Sequence, residues 1–224
     1  MYLMLCTRLD LSQSVIKVSQ FSTNFNNTHW TAVKCILRYV KGTKDIVLTL
    51  GSRLSGGSMH SKQSDPITLF GSCDSDWAGD LDDRRSTTGY LFFINNGPVS
   101  WSTRKQTSVA TSSTQAEYQA LSSAVKEAIW LRTFLKELGF SQSSPTIIHQ
   151  DNQSTIALAK NPIHHGKSKH IDIVHHFIRE CIEREEIELE YRPTADMIAD
   201  ALTKPLARGK FEKCVTEMGL KRQY

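Results

Sequence analysis

Four carboxylates spread through the chain after residue 70 carry most of its chemical potential: Asp74, Glu117, Asp151 and Asp200. Asp74, in GSCDSDWAGD, stands at the carboxyl end of a strand-like stretch, where ligands gather in α/β sheets. The competing role is an Asx-type turn residue, open equally to Asp76, Asp80, Asp82 and Asp83. Glu117 lies one turn before an apolar stripe of Leu121, Ala124, Ala128, Leu131, Leu135 and Leu138, so the stripe carried back aims it at the sheet. A lone buried carboxylate has to be protonated, paired or bound to a cation. The alternative is a first-turn glutamate favoured by the helix dipole. Asp151 ends IIHQ and begins DNQSTIALAK, as a site residue or as an N-cap. Asp200, in TADMIADALTKP, is either a solvated helix acid or the last of the set, with Asp196 as its competitor.

Carboxylates brought together repel one another unless a divalent cation neutralises them, and hard oxygen donors suit Mg²⁺ or Mn²⁺. Two such ions about 3.5–4 Å apart activate a water and stabilise the leaving oxygen of a phosphodiester. That is the chemistry the four acids would support as a group.

The elements that must position them follow from periodicity. Apolar residues predict a helix over 12–21 and a second over 29–40, capped by Asn27-Thr28 and stopped by Gly42. A short strand is expected at 46–50. The stretch GSRLSGGSMHSKQSD, 51–65, has no period and reads as a linker. Strands are then predicted at 66–73, 88–94 and 99–103, the last two joined by the turn Asn95-Asn96-Gly97-Pro98. A long helix over 113–138, a strand at 146–150, a helix over 153–160, a polar loop, a helix over 171–184 and a strand at 187–191 complete the body. This β-β-β-α-β-α-α-β-α order predicts an α/β fold, a mixed sheet with helices packed on it. Trp77, Trp101 and Trp130 are expected as core aromatics.

With 224 residues, 39% hydrophobic and 22% charged, the chain can bury a core, which excludes a disordered tail, a collagen-like fibre and a coiled-coil rod. No apolar run reaches the roughly 20 residues a membrane helix needs, and MYLMLC lacks the basic flank of a signal peptide. Five widely spaced cysteines without a CxxC pair argue for a reducing compartment. Charge is uneven: residues 1–66 balance at +5 and residues 67–224 at −1. Such a basic region either suits a polyanion or forms a solvated face.

Five blocks make the set recognisable: GSCDSDWAGDLDDRRSTTGYLF, ATSSTQAEYQAL, DNQSTIALAKNP, KSKHIDIVHHFIRE and ADMIADALTKPL. In this order they resemble the RNase H region of copia-type LTR-retrotransposon Pol polyproteins, over about 67–206. CTRLDLSQSVIKVSQF and HWTAVKCILRYVKGTKD resemble the tail of the preceding reverse transcriptase. The resemblance implies a reverse-transcriptase thumb or connection remnant over 1–50, a linker over 51–65, an RNase H-like domain with a mixed five-stranded sheet over 66–206, and a helical tail over 207–224. Motif by motif it makes Asp74, Glu117, Asp151 and Asp200 the tetrad that binds two Mg²⁺ or Mn²⁺ ions.

Two departures stand out. The paired-aspartate polymerase motif is absent, so the chain is not expected to polymerise DNA. Cellular RNases H carry a His before the last acid, whereas RPTADMIAD has none, which leaves the proton shuttle unassigned. His164, His165, His170, His175 and His176 lie elsewhere and lack the Cys partners of a zinc site.

The implied activity is Mg²⁺-dependent endonucleolytic hydrolysis of the RNA strand of RNA–DNA hybrids, leaving 3′-hydroxyl and 5′-phosphate ends. Discrimination would require reading the 2′-OH. Ser112 and Ser113 ahead of Glu117, and Asn152 and Gln153 after Asp151, are polar candidates for it, with helix capping as their other role. Arg104 and Lys105 are candidates for phosphate contact, or part of a solvated face. Expected partners are the hybrid and other Pol-derived domains, with no membrane, in cytoplasm or nucleus. The reading from another class is an inert retrotransposon-derived remnant that binds nucleic acid weakly or not at all.

Overall fold

The computed structural model describes residues 1–51, 67–161 and 169–223. The linker expected at 51–65 falls outside them from residue 52 on, as does the loop with His164 and His165. Its centre is a five-stranded sheet of β2 (Leu69–Asp76), β3 (Thr87–Ile94), β4 (Gly97–Lys105), β5 (Thr146–Gln150) and β6 (Ile187–Tyr191), in the order β4-β3-β2-β5-β6. β3 pairs antiparallel with both β2 and β4, while β5 pairs parallel with β2 and β6 parallel with β5. This is the mixed sheet expected. The β3–β4 turn is tighter than predicted. Asn95 and Asn96 both adopt positive φ, as a two-residue hairpin requires, and Gly97 already pairs with Ile94.

Helices α4 (Ser113–Glu137), α5 (Gln153–Lys160) and α6 (Lys169–Glu183) cover one face. Leu121, Ala124, Ala128, Leu131 and Leu135 of α4 pack with Leu69, Cys73, Phe92, Ile148 and Leu189 of the strands. Leu138 does not join them. It lies just past the helix end and is 55% exposed.

The other face is covered by the two ends of the chain. Helix α1 (Tyr2–Cys6), a 3-10 turn (Leu9–Leu11) and α2 (Ser12–Ser19) come from the start; α7 (Asp200–Thr203) and α8 (Arg208–Glu217) come from the end. Leu9 is wholly buried and packs with Leu91, Phe93, Leu202, Met218 and Leu220. Buried Arg8 forms an ion pair with buried Asp10 at 2.8 Å and donates to Thr43 O and Oγ1. Two short strands, β1 (Ile46–Leu48) and β7 (Leu220–Arg222), pair antiparallel. The tail after 206, expected to be helical, therefore holds one helix and then a strand.

Helix α3 (Asn27–Gly42) begins two residues earlier than expected, because Asn26 is the cap and accepts from the Thr28 and His29 amides. It has no buried residue. Trp101 packs against the second core as expected, whereas the other two tryptophans depart from expectation. Trp77 and Trp130 are about half exposed. Trp130 stacks on Phe134, Trp77 donates to Ala110 O, and half-buried Trp101 donates to Met4 O.

Candidate metal centre

Asp74 lies within β2 and not beyond its end, paired across to Gly89. The pleat alternates, so buried Cys73 faces α4 and Asp74 turns to the opposite face. There it accepts a hydrogen bond from Thr203 Oγ1, at the end of α7. Gly89 makes that approach possible. A Cβ at this position would meet Thr203 Cγ2 at 2.7 Å and Leu202 Cβ at 2.9 Å. Thr103 Oγ1 donates to Leu202 O at 2.9 Å and holds α7 down from the other side.

Glu117 is buried on the first turns of α4, as the stripe predicts. Asp151 follows β5 and is half-buried. Oxygen atoms of Asp74, Glu117 and Asp151 all lie within 4.8 Å of one another. Asp200 stands apart from that trio. It opens α7, fully buried, with Lys204 Nζ 2.9 Å from Oδ1 and Lys210 Nζ on Oδ2. Lys204 Nζ is also 3.5 Å from Asp74 Oδ1, bridging the two acids. Asp196, the competitor, pairs with Lys213 of α8.

The environment acts strongly on the acids. Burial pushes the Asp74 carboxyl up, as do Asp200 and Asp151, against the lowering effect of Lys204 and the Thr203 hydrogen bond. Burial likewise raises Glu117, reinforced by Asp74 and Asp151, against hydrogen bonds from Gln150 and the Ser75 backbone. Without a cation Asp74 and Glu117 therefore hold their protons to higher pH than ordinary carboxylates do. For Lys204, desolvation works against the charge, but Asp74 and Asp200 outweigh it and hold its pKa above the ordinary value. Two buried carboxylates of raised proton affinity and the half-buried Asp151, with converging oxygens, form a donor set suited to Mg²⁺ or Mn²⁺.

Several positioning residues give no signal in the sequence. Gln150, fully buried at the end of β5, accepts from the Asp151 and Asn152 amides at 2.8 and 3.1 Å and donates to Glu117 at 3.3 Å. One side chain thus orients two acids. Thr194 Oγ1 donates to Asp151 Oδ2 at 2.7 Å, from the loop in which a His was missed. As a glutamine ending a strand and a threonine in a loop, neither stands out by type. Only the fold gives them a role.

The polar candidates are dispersed. Ser112 caps α4 by accepting from Gln115 N, and Asn152 caps α5 by accepting from Thr155 N. Ser113 and Gln153 are exposed at the first positions of those helices. Lys105 Nζ is engaged by Asp80 at 2.8 Å and Asp83 at 2.9 Å, whereas Arg104 is exposed. Both line a groove of about 970 Å³ with Ser112, Gln115, Gln119 and Lys126. The acids do not line it, but α4, which carries Glu117, forms one wall.

No protein-family model matches the chain. It is 44% identical over 220 residues to the retrovirus-related Pol polyprotein from transposon TNT 1-94 of Nicotiana tabacum, covering 98% of this chain and 16% of that protein. It is 37% identical over 214 residues to the retrovirus-related Pol polyprotein from transposon RE2 of Arabidopsis thaliana, covering 96% and 14%. Among solved structures it is similar to LC11-RNase H1 in complex with an RNA/DNA hybrid, with a TM-score of 0.44 and 12% identity over 61% of this chain and 94% of that one. The chain spans less than a fifth of the length of these curated relatives. In class it is an α/β domain built on a mixed five-stranded sheet and carrying an acidic cluster. Over nearly its whole length it is homologous to the copia-type retrotransposon Pol polyproteins.

Proposed function

We propose that this chain is a Mg²⁺-dependent endonuclease that hydrolyses the RNA strand of RNA–DNA hybrids, as part of or derived from a retrotransposon Pol polyprotein. The observation that carries the reading is the meeting of Asp74, Glu117 and Asp151 oxygens within 4.8 Å in buried surroundings. Those three residues would hold Mg²⁺ or Mn²⁺, with Asp200 as the fourth acid toward a second ion. Bound there, the metal supplies an activated water and charge stabilisation at the leaving oxygen.

The protein's own share is placement. Gln150 fixes Glu117 and the Asp151 turn, Thr194 fixes the other side of Asp151, and Thr203 fixes Asp74. Burial of Asp74 and Glu117 excludes water, which would strengthen their hold on a cation. The groove beside α4 suits a nucleic-acid backbone, with Arg104 and Lys126 toward phosphates. Lys105 reaches a phosphate only by leaving Asp80 and Asp83. Exposed Ser113 and Gln153, with the capping residues Ser112 and Asn152, are the candidates for reading the 2′-OH.

The test is cleavage of a labelled RNA–DNA hybrid with Mg²⁺, beside RNA–RNA and DNA–DNA duplexes and an EDTA control. The expected result is metal-dependent cutting of the hybrid alone, abolished by Asp74→Asn and by Asp151→Asn in chains that stay folded. Wild-type rates in either variant overturn the assignment. A folded wild-type chain that binds hybrid and never cuts it is the inert remnant.

A further inference from the structure

The four acids are not treated alike by their surroundings. Glu117 and Asp151 are held by neutral donors, Gln150, the Ser75 backbone and Thr194. Asp200 is held by two ammonium groups, Lys204 on one oxygen and Lys210 on the other. Lys204 Nζ lies between Asp200 Oδ1 at 2.9 Å and Asp74 Oδ1 at 3.5 Å. A divalent ion bridging those two acids would require the same oxygens, at a metal–oxygen distance of about 2.1 Å. An ammonium ion and a dication cannot share that edge, since their repulsion at a few ångströms is large in a buried setting.

We propose that Lys204 is a resident cation that takes the place of the second metal ion. One divalent ion binds tightly at Asp74, Glu117 and Asp151, and another enters the Asp74–Asp200 edge only by displacing the Lys204 ammonium. This inference rests on the metal-site reading above. The side chain suits the role. Its four-carbon stem leaves the chain directly after α7 and is 29% exposed, so the head group has a route to water. Lys210 remains on the far oxygen of Asp200 and on Thr194 O, which keeps that acid in place when Lys204 moves.

The experiment is a Mn²⁺ titration of the full chain, with free Mn²⁺ followed by electron paramagnetic resonance. The wild type is expected to take up one ion tightly and a second at least tenfold more weakly. Lys204→Gln tightens the second site at least tenfold, and Lys204→Arg keeps the wild-type pattern, which a merely structural role for Lys204 would not produce. Two equally tight sites in the wild type overturn the proposal, as does a second site in Lys204→Gln no tighter than before. If Lys204→Gln does not fold, the wild-type stoichiometry alone decides. Glu117→Gln separates the two readings. If it binds the first ion as the wild type does, the metal site itself is wrongly assigned, whatever Lys204 does.

Discussion

The two faces of the central sheet are built in different ways. The α4 face comes from one continuous run of chain, strand followed by helix, with a regular apolar stripe meeting the strands. The opposite face is assembled from the chain's two ends: Leu9 from the beginning, and Leu202, Met218 and Leu220 from the last quarter. The acids sit at the seam. Glu117 arrives on the first face, Asp200 on the second, and Asp74 on the strand between. A site made this way depends on both faces closing on the sheet. Periodicity reveals only the first.

The sharpest way to break this comparison is to cut a leucine from each core. Leu121→Ala and Leu9→Ala, both at fully buried positions, are each expected to cost about 3 kcal/mol or more, read by urea unfolding. If Leu9→Ala leaves the transition where it was, the N-terminal segment is an appendage and not half of the second core. Arg8→Ala is expected to cost about 3 kcal/mol as well, because it leaves Asp10 buried without its cation. Asp10→Asn in the same background should return part of that loss.

The seam itself is probed by pH. Asp74 and Glu117 are raised in the folded, metal-free chain, so over a range above the ordinary carboxylate pKa the unfolded state has released protons that the folded state keeps. Stability then falls as pH rises, by about 1.4 kcal/mol per pH unit for each proton retained. Thermal melts in EDTA should show this decline. Mg²⁺ should reverse it by binding the folded state, and Glu117→Gln should flatten it. A melting temperature independent of both pH and Mg²⁺ would mean that the acids do not converge. The smallest effect belongs to α3. Asn26→Ala removes a double cap acceptor worth about 1 kcal/mol to the helix. With no buried residue on α3, circular dichroism should register local fraying, with the main unfolding transition almost unmoved.

What the sequence disclosed follows the same division. The strand at 146–150 and the helix at 153–160 match the structure end to end, since β-branched runs and a capped short helix are local signals. Glu117 was legible because its position is fixed by a helical stripe that extends past it. Gln150, Thr194, Lys204 and Lys210 were not, because their roles exist only once β5, the 194–196 turn, α7 and α8 are brought together. Strand β7 was missed for a related reason. Three residues ending in Lys221-Arg222 carry no alternation, and only pairing with β1 makes them a strand. The half-exposed tryptophans erred the other way, since residue type alone does not say which side of a helix or strand faces solvent.

The β1–β7 ribbon also sets a schedule for the growing chain. Ile46 pairs with Arg222 and Leu48 with Leu220, so among the described residues β1 has no strand partner until residues 220–222 have been made. At a synthesis rate of about 5–20 residues per second, that wait is on the order of ten seconds or more. For its last part, once β6 has been made at residue 191, the sheet and its α4 face have their strands and helices in hand, while Ile46 and Leu48 still lack Met218 and Leu220. Contacts this distant in sequence close slowly because the loop entropy is lost before any contact repays it. The second face is therefore the last to form and the most exposed to wrong partners, and Asp200, which it delivers, is the last acid to reach the seam.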